Sequence, residues 1–308
     1  MPEPQHEANV TFAARDGWRL MGDIYRSPDP RMGILISAGT GFPRGFYDAA
    51  ARYWAARGAV VLTYDYRGIG GSAAADIARS GIDYPDWGHL DMPAALDRLG
   101  SAAPGLPLVH VAHSVGGHFL GLMPNHHMIT RHAFLSVGTG YFGGHQLRNL
   151  PAEFYFWWGL GSYALARHRY IKPIGGWQGE PLPPNLFRTW RRWSHRRAYF
   201  RPDYDTLLAP QHYSAVTAPI RSWVFRDDPI ATPRAAADLL ACYPNAPSNI
   251  QQRSAADFGL RRIGHDGAFR KGREAVWNEV WGWLSGDSTQ ATRRRPSTSP
   301  HQQEKEPS

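Results

Sequence analysis

Five apolar runs constrain this chain more than any other feature: Gly33–Ala38, Ala59–Tyr66, Leu108–Ala112, Ala133–Gly138 and Ile220–Phe225. None of them alternates apolar with polar residues. A strand with one wet face must alternate, whereas a strand covered on both faces need not. Helix-like stretches fall between the runs. Residues 45–57 are alanine-rich and stop at Gly58, Asp91–Leu99 carries Pro93 in its first turn, and Pro233–Leu240 follows the fifth run. A last helix is predicted with Val276, Trp277, Val280, Trp281 and Leu284 on one face, after a strand over Ile250–Ser254. Residues 10–25 read as a hairpin about Asp16-Gly17. The expectation is an α/β fold: a mostly parallel central sheet with helices on both faces.

The third run ends at a corner that carries chemistry. It reads Val109-His110-Val111-Ala112-His113-Ser114-Val115-Gly116-Gly117-His118, followed by Phe119-Leu120-Gly121-Leu122. A buried strand, a serine at a tight turn and a following helix form the pattern of a nucleophile elbow, with Ala112 in place of its usual first glycine. Residues two before and two after the serine must be small, because a larger side chain would meet neighbouring backbone. A helix starting just past Ser114 would favour developing negative charge there.

A nucleophilic serine needs a base, an acid to orient the base, and donors for an oxyanion. In a parallel sheet these come from the C-terminal ends of strands. After Phe225 the chain reads Arg226-Asp227-Asp228-Pro229, and Asp228 is the expected acid with Asp227 as its competitor. In the last strand-to-helix loop, Gly264-His265-Asp266-Gly267 supplies His265 as the base. His113, His118, His126 and His127 are expected to pack or to face solvent. The oxyanion donors are expected at the N–H of Val115 and in the loop Gly39-Thr40-Gly41, at Thr40. That loop lacks the ending of a phosphate-binding loop. No His/Cys/Asp/Glu cluster has metal-ligand spacing, so no metal is expected.

These stretches, with Tyr64-Asp65-Tyr66-Arg67-Gly68-Ile69-Gly70-Gly71-Ser72, resemble the serine-dependent α/β-hydrolase superfamily, of the lysophospholipase/esterase-like kind. The resemblance spans roughly residues 33–284 and implies the α/β-hydrolase fold, a Ser–His–Asp triad and no cofactor. It departs from the pattern at Ala112 and at Ala38, where a histidine usually precedes the oxyanion-loop glycine. The expected reaction is hydrolysis of a carboxylic ester with an apolar or lipid-like part. Acyl transfer by the same residues, or a non-catalytic ligand receptor or scaffold on the same fold, are the alternatives. Serine rather than aspartate at the elbow argues against dehalogenase chemistry.

Residues 1–140 and 211–286 are expected to form the core, with 141–210 inserted as a cap or lid and 287–308 as a disordered tail. The insertion holds sixteen of the 39 aromatic side chains of this 308-residue protein. It also holds ten Arg/Lys against four acidic residues, so +6 of the net +8 is local. A uniformly basic, nucleic-acid-binding scaffold is therefore not expected. In Leu186–Arg197, Phe187, Trp190 and Trp193 share one helical side with arginines beside it. Trp157, Trp158 and Trp190 are candidate lid residues over a small-molecule ester, and the basic aromatic surface is a candidate contact for anionic lipid. One cysteine, a polar acidic N-terminus and no apolar run near about 20 residues lead to the expectation of a cytoplasmic protein.

Overall fold

The structure is a computed structural model and describes residues 3–286, so the expected tail at 287–308 lies outside the described residues. Eight strands form one sheet in the order β1-β2-β4-β3-β5-β6-β7-β8. The strands are β1 Gln5–Ala13, β2 Arg19–Arg26, β3 Met32–Ser37 and β4 Ala59–Asp65, then β5 Leu108–His113, β6 Ile129–Leu135, β7 Ile220–Phe225 and β8 Ser248–Arg253. Pairing is antiparallel at β1–β2 and β2–β4 and parallel in the remaining pairs. Strands β3, β4 and β5 are buried at every residue, which explains why their sequences do not alternate. Gly17, at φ +83°, closes the β1–β2 turn where its N–H meets the Ala14 carbonyl.

Helices Asp48–Ala55, Met92–Ala102, Pro233–Leu240 and Glu274–Leu284 cover the sheet. Trp54 and Trp277 are buried together, with the Trp54 indole N–H on the Trp277 carbonyl at 3.0 Å. The stretch Tyr64–Ser72 is a structural knot. Asp65 accepts from Arg44 and from the Gly71 N–H, and Arg67 pairs with buried Asp91 (2.7 Å) and with Asp16 (2.8 Å).

One expectation fails at the elbow. No α-helix follows Ser114; the chain makes two separate 3₁₀ turns, Ser114–Gly117 and Leu120–Leu122. Gly116, Gly117 and Gly121 are poor helix formers, and Gly121 sits flat against the Tyr213 ring, where a Cβ would come within 2.3 Å. The carbonyls that a helix would have used are taken by tyrosines. Tyr243 donates to Gly117 O and His118 O, and Tyr213 also donates to His118 O, all at 2.8–2.9 Å. Support for negative charge at the elbow thus comes from individual N–H groups, not from a helix macrodipole.

Between β6 and β7, residues 136–219 contribute no strand to the sheet. They form the helical run Leu150–Phe154, Tyr155–Leu160 (a π-turn) and Gly161–His168, then the helix Pro184–Ser194. An isolated bridge, Ile171–Leu182, ties the segment between them.

Candidate active site

Ser114 leaves β5 with φ +49°, a left-handed conformation that a non-glycine residue adopts only where its surroundings enforce it. The enforcement is close packing against β3. Ala112 is fully buried in register with Ser37, and a Cβ at Gly116 would lie 2.2 Å from the Ser37 carbonyl oxygen. Alanine therefore suffices two residues before the serine, while glycine is required two residues after it.

His265 reaches this corner from the loop before the last helix. Its Nε2 lies 3.0 Å from Ser114 Oγ, and its Nδ1 lies 2.9 Å from Asp228 Oδ2. Asp228 is fully buried just past β7, and its Oδ1 accepts from the N–H groups of Ile230 (2.8 Å) and Ala231 (3.0 Å). Burial pushes the Asp228 carboxyl up, but the His265 imidazole and the two N–H donors outweigh it and hold the group below the usual carboxylate range. For His265, burial lowers the pKa, yet the Asp228 carboxylate and then Asp266 leave it above the ordinary histidine value. Asp227 faces the other way. Its Oδ2 accepts from the Ile263 N–H at 2.8 Å, so it anchors the base loop and does not touch the imidazole.

The Val115 N–H lies in the first turn of a 3₁₀ segment, where it has no acceptor inside that turn. The Thr40 N–H makes no hydrogen bond among the described residues, and its hydroxyl pairs with Tyr84 Oη at 2.7 Å. Two contacts from the segment between β6 and β7 hold the same loop. The Glu180 N–H donates to Gly41 O at 2.8 Å, and the Trp177 ring lies where a Gly41 side chain would stand.

A buried relay joins the loop Gly39-Thr40-Gly41 to the loop that carries His265. The Gly39 N–H donates to Tyr47 Oη (2.9 Å), Tyr47 Oη lies 2.8 Å from His113 Nδ1, and His113 Nε2 lies 3.0 Å from the His265 carbonyl oxygen. One proton arrangement satisfies every atom: Tyr47 donates to Nδ1, and Nε2–H donates to the carbonyl. Burial lowers the His113 pKa to about 3, which keeps the ring neutral as this arrangement demands. The expectation that His113 packs is met, but its role as a tie was not visible. Tyr47, His113 and His265 are far apart in sequence, and no spacing pattern links them. His118 is also buried, its Nε2 on Gly138 O at 2.9 Å, while His126 and His127 sit nearer the surface in a short turn.

In the segment between β6 and β7, Trp157 and Trp190 meet edge to face at 4.8 Å, and Trp190 in turn meets Tyr84, the partner of Thr40. Trp158 points outward, its N–H on His195 and the Arg191 guanidinium 4.5 Å from its ring. Among the described residues no group of three or more His, Cys, Asp or Glu side chains could hold a metal ion, and no helix is long and apolar enough to cross a membrane.

Residues 28–139 match the model of the serine aminopeptidase S33 family. No curated protein matches the chain in sequence. Solved structures do. A soluble variant of monoglyceride lipase from Saccharomyces cerevisiae, in complex with a substrate analog, is 13% identical with a TM-score of 0.67, over 93% of this chain and 96% of that one. An esterase of Pyrococcus furiosus is 14% identical with a TM-score of 0.55, over 92% and 91%. A haloalkane dehalogenase from Bradyrhizobium elkani is 16% identical with a TM-score of 0.57, over 92% and 98%. With this architecture and these likenesses, the chain has the α/β-hydrolase fold.

Proposed function

We propose that the protein is a serine hydrolase of carboxylic esters with an apolar acyl or lipid-like part. The observation that carries the reading is His265, placed 3.0 Å from Ser114 Oγ through one ring nitrogen and 2.9 Å from Asp228 through the other. Ser114 Oγ attacks the ester carbonyl as its proton passes to His265 Nε2. Asp228 holds the Nδ1–H tautomer and stabilises the imidazolium that forms. The N–H groups of Val115 and Thr40 receive the oxyanion. His265 returns the proton to the leaving alcohol, and a water deprotonated by the same nitrogen releases the acid from the acyl-enzyme.

The apolar preference rests on the aromatic side chains near the oxyanion loop, where Trp190 meets Tyr84 and Tyr84 bonds to Thr40. The complex of the yeast monoglyceride lipase variant with a substrate analog is consistent with it. The dehalogenase likeness is one of fold, since position 114 offers a hydroxyl and not the carboxylate that alkyl displacement needs.

Turnover of p-nitrophenyl esters of graded acyl length tests the reading, with Ser114→Ala as the control. Hydrolysis that peaks at medium or long chains and vanishes in the variant supports it. A folded wild type that turns over none of the series contradicts it. Added alcohols in the same assay separate acyl transfer, which would yield new esters, from hydrolysis. The receptor reading predicts that Ser114→Ala keeps both ligand binding and cellular effect.

A further inference from the structure

The helical run 150–168 has two chemically opposite sides. Trp157, Leu160 and Ala164 are buried against the protein. The other side presents Phe154, Tyr155, Trp158 and Tyr163, between 42% and 59% exposed, and the short turn Leu147–Asn149 just before the run adds Leu147 at 82% exposure. These five are all but one of the exposed large apolar side chains among the described residues; the other is Leu207. Scattered exposed apolar residues need no explanation, but five gathered within residues 147–163 as a ridge do.

The charge around the ridge has one sign. Glu153 is the sole acidic residue from Tyr141 to Gly179. It is turned inward, held by His145 (2.8 Å) and Asn149 (2.6 Å). Arg148, Arg167, Arg169 and Lys172 are exposed along the same segment, and Arg188 stands on the neighbouring helix. At the C-terminal end of the run, Arg79, Arg169 and Arg188 border a cleft of about 320 Å³ whose lining contains no carboxylate. Like charge on both sides of a two-fold contact would oppose pairing of two such ridges.

We propose that this ridge is a docking surface for an anionic lipid bilayer. Phe154, Tyr155, Trp158 and Leu147 enter the headgroup–acyl boundary, and the surrounding arginines meet the lipid phosphates. Tyrosine and tryptophan favour that boundary because each has an apolar body and a polar tip. A helix lying in the interface with an apolar side and basic flanks gains from both area and charge. The proposal is independent of the ester chemistry, since no ridge residue takes part in the Ser114, His265 and Asp228 arrangement.

Flotation of the full chain with phosphatidylcholine vesicles, with and without phosphatidylglycerol, tests it. Wild type and Ser114→Ala are expected to float equally with the phosphatidylglycerol vesicles and weakly with pure phosphatidylcholine. Leu147→Ser/Tyr155→Ser, checked as folded by circular dichroism, is expected to bind at least about tenfold more weakly. Arg148→Gln and Arg167→Gln are expected to weaken binding about fivefold each at low salt. Absence of flotation with either vesicle, or flotation that survives Leu147→Ser/Tyr155→Ser, would overturn the proposal. So would a basic surface that binds single-stranded oligonucleotide and leaves the vesicles unbound.

Discussion

In the core, Ser114, Asp228 and His265 come off three different connections of one sheet, and their side chains meet within 3.0 Å. Residues 141–210, between β6 and β7, are held largely by aromatic side-chain packing and make no strand pairing with that sheet. The difference teaches where geometry comes from. Strand register sets core positions through backbone hydrogen bonds, so a residue at a strand end has one place to be. A segment held mainly by side-chain packing tolerates change outside and is sensitive inside. Substitutions in the two regions should therefore differ in kind.

The largest effect is expected at Ser114, the proposed nucleophile. Ser114→Ala should lower kcat by about 10⁴-fold or more with the fold intact, as read by steady-state kinetics beside a thermal melt. The paired carboxylates come next. Asp228→Asn should cost about 10⁴-fold by holding His265 in the wrong tautomer. Asp227→Asn, which touches only the Ile263 N–H, should stay within about tenfold. Equal losses at both positions would show that the acid site is not set by the strand end.

Inside the lid, Trp193 is fully buried and its N–H rests on Asp203 at 2.7 Å. Trp193→Ala should cost about 3–5 kcal/mol by urea unfolding, whereas Tyr163→Ser on the outer ridge should stay within about 0.5 kcal/mol. Smaller again is Tyr47→Phe, which removes the hydroxyl between Gly39 and His113. It should lower kcat about tenfold with little change in KM, because the oxyanion and base loops lose their tie but not their apolar packing.

Two losses are expected in acid, and they arise from pKa shifts of opposite sign. The base must be neutral to take a proton, and His265 lies above the ordinary histidine value, so kcat/KM should fall as pH drops through a pKa above 6.5. Stability should fall in acid for another reason. Burial lowers His110 and His113 to about 3 and His118 to about 4, and pushes His132 well below 6.5. Below pH 6.5 the unfolded chain binds protons that the native state refuses. Each such histidine then removes about 1.4 kcal/mol per pH unit until its own native pKa is reached. Urea midpoints at pH 7 and pH 5 should show a loss well beyond that of one group.

The sheet was legible because its buried strands do not alternate, and the expected strands and covering helices appear within a few residues of their predicted bounds. Asp228 could be preferred over Asp227 from its place past Phe225 and before Pro229, and it is the one that meets the imidazole. What was not legible depends on contacts distant in sequence. The helix expected after Ser114 is replaced by 3₁₀ turns, because Gly121 must lie flat on Tyr213, which is 92 residues further along the chain. The Tyr47–His113 tie and the Glu180–Gly41 contact likewise join separate stretches. Trp157 and Trp158 are neighbours in sequence, yet one is buried and the other faces out, because they lie on a π-turn whose sides the sequence did not reveal.

The central claim is that Ser114 is the nucleophile, activated by His265. Reaction with a fluorophosphonate ester, followed by mass spectrometry of the peptide containing Ser114, tests it most directly. The account predicts one adduct, on Ser114 Oγ, that is lost in Ser114→Ala and forms far more slowly in His265→Gln. A folded protein that stays unlabelled, or one labelled at another residue, would contradict it.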